Sequence, residues 1–408
     1  MKKKRLIFII AGLFFVLIIF SLLVFFGREP TIKNINLPSC GDKKEIFSYY
    51  PVDLSIVERL TPQGEFGSMG GHVFPVKHVY TLDKYSPSSY SMELNRPLVE
   101  MVAPSNIRIT RITKYWDKNR GDEYYIDFKP CEEIKGSFFH MSDISPKLKQ
   151  EFEKNKDSKK VSEDRGIVLF ETTNSYVDIE VKAGEIIGSA SVKSTQMFDF
   201  NLIDTRILEL NFINKERFAK HRAFDLLHEV CPYDYFIPEI KSVLYSKISG
   251  YFKSDKKRTV EPLCGEYMQD IPNTAQGVWF FKGTANGELG EENIIEREAL
   301  HMALGHDAFD PQRPIVSLGL EAVKDLEPLL YFIIPKSEGL VNRDWKDITS
   351  NGNIYCSDLV FDDNNLSPAG KSIILQMPTL TTLKIEAINS PCNKGPWNFT
   401  EKATEFER

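Results

Sequence analysis

The chain contains no Cys-x-x-Cys pair, no glycine-rich phosphate loop and no serine set in a nucleophile elbow. The first absence argues against zinc ribbons and thioredoxin-type redox sites, and the other two against P-loop and α/β-hydrolase chemistry. No internal repeat is evident. Charge of one sign is also scarce: 51 Lys and Arg against 57 Asp and Glu give a formal net charge of −6, with no basic face and no acidic tail. Nucleic acid is therefore not an expected partner.

What is present suits a β-rich globular protein. Hydrophobic residues make up 42% and aromatic residues 12% of the 408 positions, enough for two or three domains with their own cores. One long apolar run stands out, the twenty-one uncharged residues from Leu6 to Phe26, preceded by Lys2, Lys3, Lys4 and Arg5. That length spans a hydrocarbon core of about 30 Å as a helix, with the basic cluster on the cytoplasmic side. The run is too long for a signal peptide, and no small-x-small cleavage site follows it. The expectation is a single-pass membrane anchor over residues 1–28, a stalk over 29–51 containing Pro30 and Pro38, and the bulk of the chain extracytoplasmic.

In that compartment disulfides persist, and the six cysteines form an even set. The pairs Cys356–Cys392 and Cys231–Cys264 each bracket a compact segment and are the favoured ones. Sequence leaves the full connectivity open among 15 arrangements.

Residues 52–204 read as short strands divided by turns. An alternating run covers Glu123 to Lys129. Gly184 falls where a tight turn needs positive φ, before Ile186 and Ile187 start a strand ended by Gly188. Ser145 and Pro146 start a short helix carrying Leu148 and Phe152 on one stripe. Residues 205–258 read as a helical connector, with Pro238 opening its second helix. From residue 259 six strand-type runs follow, beginning at Gly277, Pro314, Leu329, Asn353, Ser372 and Thr382, which suits a barrel or a sandwich.

The order of pieces from Gly71 to Asp204 carries a resemblance. Ala103-Pro104 ahead of Ile109, the alternating strand, Phe139-His140-Met141-Ser142, then Val181 to Gly188, then Phe198-Asp199-Phe200 resemble the β-sandwich of the lysostaphin-type zinc metalloendopeptidases, with their duplicated hybrid motif. The resemblance implies a peptidase-like β domain and a site on it. In that family an early His-x-x-x-Asp and a late His-x-His supply zinc ligands and a base. Here the late motif is Met197-Phe198-Asp199, with Asp199 at the second histidine position and Met197 at the base position. The early motif offers His72 or His78, with Asp83 one residue out of register, and His140 matches an active-site histidine position. His72, His78, His140 and Asp199 are thus the candidate ligand-binding or metal-binding group, zinc being the metal. No residue is expected to be catalytic.

A secondary group, His301, His306, Asp307 and Asp310, depends on a loop around Gly305, because five-residue spacing puts the two histidines on one face of neither a helix nor a strand. Gln276, ahead of an aromatic strand, would share a cleft with it in a third reading. The function expected is that of a membrane-anchored binding or scaffolding protein of the cell envelope, its partner being peptidoglycan, an envelope polysaccharide or an envelope protein. A divergent zinc-dependent hydrolase of peptidoglycan or protein is the alternative.

Overall fold

A computed structural model describes residues 36–67, 72–86, 97–117, 121–164, 167–194, 196–221, 224–249, 257–284, 298–361 and 366–408. The anchor expected over Leu6–Phe26 lies outside the described residues. Among the described residues no helix is long and apolar enough to cross a membrane.

The first half is built on a nine-stranded sheet. In spatial order its main path runs β1 (Val57–Leu60), β2 (Val79–Asp83), β11 (Phe198–Asp204), β6 (Ile134–Met141), β5 (Gly121–Lys129), β4 (Ile107–Asp117), β9 (Ile167–Val181) and β8 (Lys160–Asp164), with β12 (Glu229–Val230) also paired to β11. A three-stranded sheet, β3 (Glu100–Val102), β10 (Ile186–Ser189) and β7 (Asp143–Ile144), stacks over it. Alternation along β11 explains the layering. Phe198, Phe200 and Leu202 are fully buried in the core shared with Met101, Ile144 and Ile187 of the small sheet, while Asp199 and Asn201 take the opposite face. Phe138 and Phe200, paired across β6 and β11, meet with ring centroids 4.8 Å apart. Burying such a ring stabilises by about 1.5–3 kcal/mol.

Two glycines show how sequence permits this packing. Gly184 turns at φ 78°, as expected. Gly188 does not end its strand. It sits inside β10, where a Cβ would lie 2.2 Å from the Asp143 carbonyl oxygen, so only glycine lets β10 pair with β7. The helix expected after Ser145 is α1 (Pro146–Asn155), with Leu148 and Phe152 buried.

The segment expected to be a stalk as far as Pro51 departs from that reading. Cys40 is bonded to Cys131, Phe47 is fully buried among Phe128, Phe200 and Phe236, and Tyr50 is buried too. The connector is also less helical than its spacing suggests. It comprises α2 (Lys215–His221), a 3-10 turn at Phe224–His228, strand β12 and α3 (Pro238–Lys247), and Cys231 bonds Cys264.

The C-terminal half is a closed eight-stranded barrel, which decides between barrel and sandwich. Its strands are β13 (Gly277–Phe281), β14 (Met302–His306), β15 (Pro314–Leu318), β16 (Leu330–Phe332), β17 (Tyr355–Val360), β18 (Pro368–Thr379), β19 (Thr382–Ile388) and β20 (Thr404–Glu407). Each pairs antiparallel with the next, and β20 closes on β13. Trp279, Leu304, Val316, Ile373, Leu375, Leu383, Ile385 and Phe406 fill one core cluster, as expected for a barrel of this size. Cys356 is bonded to Cys392. The halves share a second cluster in which Phe66, Val73 and Phe74 pack with Phe212 and Phe218 on the barrel residues Val278, Phe280 and Ile315.

Candidate functional site

The face of the large sheet turned away from the aromatic core carries a row of titratable side chains, supplied by adjacent strands. Asp199 on β11 is opposite Tyr80 of β2 on one side and Phe139 of β6 on the other. Its Oδ2 lies 3.3 Å from His78 Nε2, just ahead of β2, and 3.4 Å from His140 Nε2 on β6. His140 Nδ1 is in turn 2.8 Å from Glu123 Oε2 on β5. The result is a chain of alternating carboxylate and imidazole, Glu123–His140–Asp199–His78. The His72 ring stands 5.4 Å from that of His78.

The backbone at His140 is unusual. Between β5 and β6 the register shifts, Tyr124 pairing with Met141 and Ile126 with Phe138, and His140 adopts φ 64°. This left-handed conformation costs a non-glycine residue about 1–2 kcal/mol. A bulge of this kind re-aims a side chain, and here it swings the imidazole between the two carboxylates. Glu123 and Asp199 are buried, at 1% and 2% exposure, whereas the His140 side chain keeps 15%. Access to the row is therefore greater at His140 than at its carboxylates.

Aromatic rings border the row. Tyr80 and Phe139 contact His78, and Tyr125 contacts both Phe139 and His140. One row further along the same strands, Ser137 donates to Asp127 at 2.6 Å, and Arg111 pairs with Asp127 at 2.7 Å. Asn201 on β11 joins Glu229 of β12. Burial pushes the Glu229 carboxyl up to about 8, with Lys77, the Asn201 side chain, the Leu202 N–H and Lys135 acting in the opposite direction.

Zinc can be tested against this geometry. Two imidazoles and a carboxylate are suitable donors, and a tetrahedral ion with bonds of about 2.0 Å holds its ligand atoms about 3.3 Å apart. Each imidazole meets that spacing with Asp199, but the three do not converge. Among the described residues, the group of three whose ligand atoms all lie within 4.8 Å is Cys40, Cys131 and Glu133, and those two sulfurs are in a disulfide. His78 and His140 therefore flank Asp199 from separate sides, and the group does not fit a three-ligand zinc site as it stands. Two other positions of the family pattern lead elsewhere. Met197 is fully buried in the core, and Asp83 closes the turn after β2 by accepting from the Tyr85 N–H and the Ser86 hydroxyl.

The secondary group is divided between packing and turns. His301 stacks on Phe74 at 5.7 Å and accepts from the Phe281 N–H, while His306, at the far end of β14, meets Asp344 at 2.9 Å. Asp307 accepts from Phe309 N–H and pairs with Arg313, and Asp310 accepts from Gln312 N–H. Gln276 donates to the Gln269 carbonyl. Gly305 is not a loop residue but lies within β14, where a Cβ would fall 2.5 Å from the Phe66 ring.

Sequence reasoning reached His78, His140 and Asp199 but missed Glu123, Tyr125 and Glu229. The alternation from Glu123 to Lys129 was the available signal, since it puts Glu123, Tyr125 and Asp127 on one face. Comparison of the chain with protein families, with characterised proteins and with solved structures finds no match.

Proposed function

We propose that this protein is an extracytoplasmic binding or scaffolding protein of the cell envelope, held by an N-terminal anchor, whose peptidase-like sheet binds an envelope polymer without cleaving it. The observation that carries the reading is the setting of Asp199, whose carboxylate is flanked by His78 and His140 from separate sides, with no third ligand atom converging on it among the described residues. A hydrolase needs an open metal position and a base to activate water, and the residue at the family's base position, Met197, is in the core. The three disulfides suit an oxidising extracellular compartment.

A second reading, a divergent zinc hydrolase, is favoured by one contact. Glu123 on His140 Nδ1 is the kind of carboxylate that orients a metal-binding imidazole. One experiment separates the two. Purified protein is incubated with cross-linked peptidoglycan, with and without added zinc, and both sedimentation and release of soluble fragments are followed for wild type, His140→Ala and Asp199→Ala. The binding reading expects co-sedimentation of wild type and no fragments. Zinc-dependent release abolished by either substitution establishes the hydrolase instead.

A further inference from the structure

The small sheet carries a groove on the side away from the core. Alternation along β3 turns Met101 inward and leaves Glu100 and Val102 on the outer face. Ile186 of β10, opposite Val102 in register, takes that face too and is 46% exposed. Residues 48–54 run alongside, held by the Val102 N–H donating to the Pro51 carbonyl and the Ser48 and Tyr49 N–H groups donating to that of Pro104. Tyr49 is 48% exposed, its ring lying 3.3 Å from where a Cβ would stand on Gly184. Ile240 of α3 completes the lining of an open, mainly apolar cavity of about 300 Å³. Lys241 and Tyr245 of α3 are held by Asp234. Helical spacing puts Val243, 38% exposed, one turn from Ile240 on the other side. Exposed apolar side chains are ordinary when scattered, but Tyr49, Ile186 and Val243 gather around one groove.

The rim bears charge of one sign. Asp53 and Glu100 line the cavity, and Glu239 precedes Val243 by one turn of α3. All three are exposed. Asp53 also closes its own turn, accepting from the Ser55 N–H at 2.8 Å. Among the described residues none of the three is in an ion pair with Lys or Arg, whereas Glu180 and Glu185 pair with Lys182 and Lys147. The two lysines of α3 are turned to Asp234 and to the Val57 carbonyl.

We infer that this groove docks a basic, amphipathic segment of a partner protein, which seats an apolar side chain in the cavity and sets Lys or Arg against Asp53, Glu100 and Glu239. The volume is at the lower end of small-ligand pockets and suits an anchoring side chain rather than a whole cofactor. An anionic lipid surface or nucleic acid would meet three carboxylates with no cation between them. A second copy bound about a two-fold axis presents the same patch from both sides, so the acidic rims would face each other. A cationic segment with apolar residues satisfies both the rim and the floor. The groove shares no residue with the Asp199 row, so its failure as a docking site leaves the reading of that row untouched.

The test follows binding of a fluorescent synthetic peptide alternating lysine and leucine to the purified full-length protein, by anisotropy at low and high salt. Peptides alternating glutamate with leucine and lysine with serine are the contrasting probes. Wild type should bind only the lysine–leucine peptide, more weakly as salt screens the rim. Tyr49→Ser should weaken binding about tenfold, equivalent to about 1.4 kcal/mol. The paired change Glu100→Gln with Glu239→Gln should do the same at low salt. All three positions are exposed, so the variants should fold, and Glu338→Gln, on an exposed loop of the barrel, should bind as wild type does. Absence of binding by wild type, equal binding of the lysine–serine peptide, or affinity unchanged in both groove variants overturns the inference. So does equal weakening by Glu338→Gln, which would show diffuse attraction to a negatively charged protein. Sedimentation of wild type as a dimer that Tyr49→Ser dissociates would give the groove to a second copy, and would overturn it as well.

Discussion

His140 Nδ1 lies 2.8 Å from Glu123 Oε2 on the neighbouring strand, and the residue that makes this contact holds its own backbone at φ 64°. The two facts belong together. A regular strand would alternate His140 to the face opposite Phe139, toward the aromatic core where Phe138 and Met141 are buried. The bulge opposite Tyr125 brings it instead to the face occupied by Asp199. The fold thus accepts a strained residue in order to place an imidazole between two buried carboxylates, an arrangement more common at functional sites than in ordinary core.

The strain gives the first prediction. At an ordinary strand position glycine is less stable than alanine, but where φ is positive the order reverses. His140→Gly should be more stable than His140→Ala by about 1 kcal/mol, measured by urea unfolding. Both should be less stable than wild type, because they remove the hydrogen bond to Glu123, a contact of about 0.5–1.5 kcal/mol. The paired change Glu123→Gln with His140→Ala should cost less than the two single changes added. Strict additivity would mean that the contact contributes nothing.

How much of this was legible follows from what periodicity can and cannot carry. The six C-terminal strand runs all became barrel strands, but β14 and β20 were missed. β14 contains Gly305, which reads as a turn. Its reason for being glycine is the Phe66 ring from the other half of the chain, a contact no local pattern reveals. β20 is four residues long, too short for alternation to register. At the site, the order of motifs brought His78, His140 and Asp199 to one face. Alternation along β5 puts Glu123 on the face of Asp127, but its contact with His140 depends on a register shift between β5 and β6, and nothing in the flanking residues announces a bulge. His301 and His306 show the opposite case, chemically suggestive residues that tertiary packing uses for stacking and for a buried pair.

The disulfides give a second prediction. The favoured pairs Cys356–Cys392 and Cys231–Cys264 are both formed, and Cys40–Cys131 completes the set. The last closes the longest segment, with a sequence separation of 91, and ties the strand-like segment around Phe47 to the sheet. Replacing Cys40 and Cys131 together by serine should lower stability by about 2–5 kcal/mol. Non-reducing peptide mapping should recover three bonded peptides, and the denaturation midpoint should fall on substitution. Free thiols at these positions in protein from an oxidising compartment would contradict the pairing.

A third prediction concerns Asp344, paired with His306 and Lys346. Burial pushes its carboxyl up, but the hydrogen bond and charge of His306, with those of Lys346, more than offset this and hold it at about 2. A carboxyl held below its unfolded value of about 3.9 stabilises the fold above that pH. The advantage of wild type over Asp344→Asn should therefore be complete above about pH 4 and close as the pH falls through about 2. Thermal melts across that range check it. A gap that persists at the acid end would show that packing, not charge, is what the substitution removes.

Glu229 should behave in the opposite sense. Its carboxyl is buried beside Asn201 at the margin of the site, and desolvation raises it to about 8 despite Lys77, the Asn201 side chain, the Leu202 N–H and Lys135. In the unfolded chain the same group titrates near 4.3. Between the two values the folded state binds more proton than the unfolded one, so stability falls as pH rises through this window and levels off above it. Glu229→Gln keeps the shape and the hydrogen-bonding capacity of the protonated acid and carries no charge to bury. It should match wild type near pH 4, become the more stable of the two as pH rises from about 5, and show its full advantage above about 8. Urea midpoints for both proteins, taken from pH 4 to pH 9, give the comparison. Parallel curves over that range would mean that Glu229 is ionised in the folded protein at neutral pH, with Lys77 as its partner, and that the polar face carries one more negative charge than the pairing with Asn201 suggests.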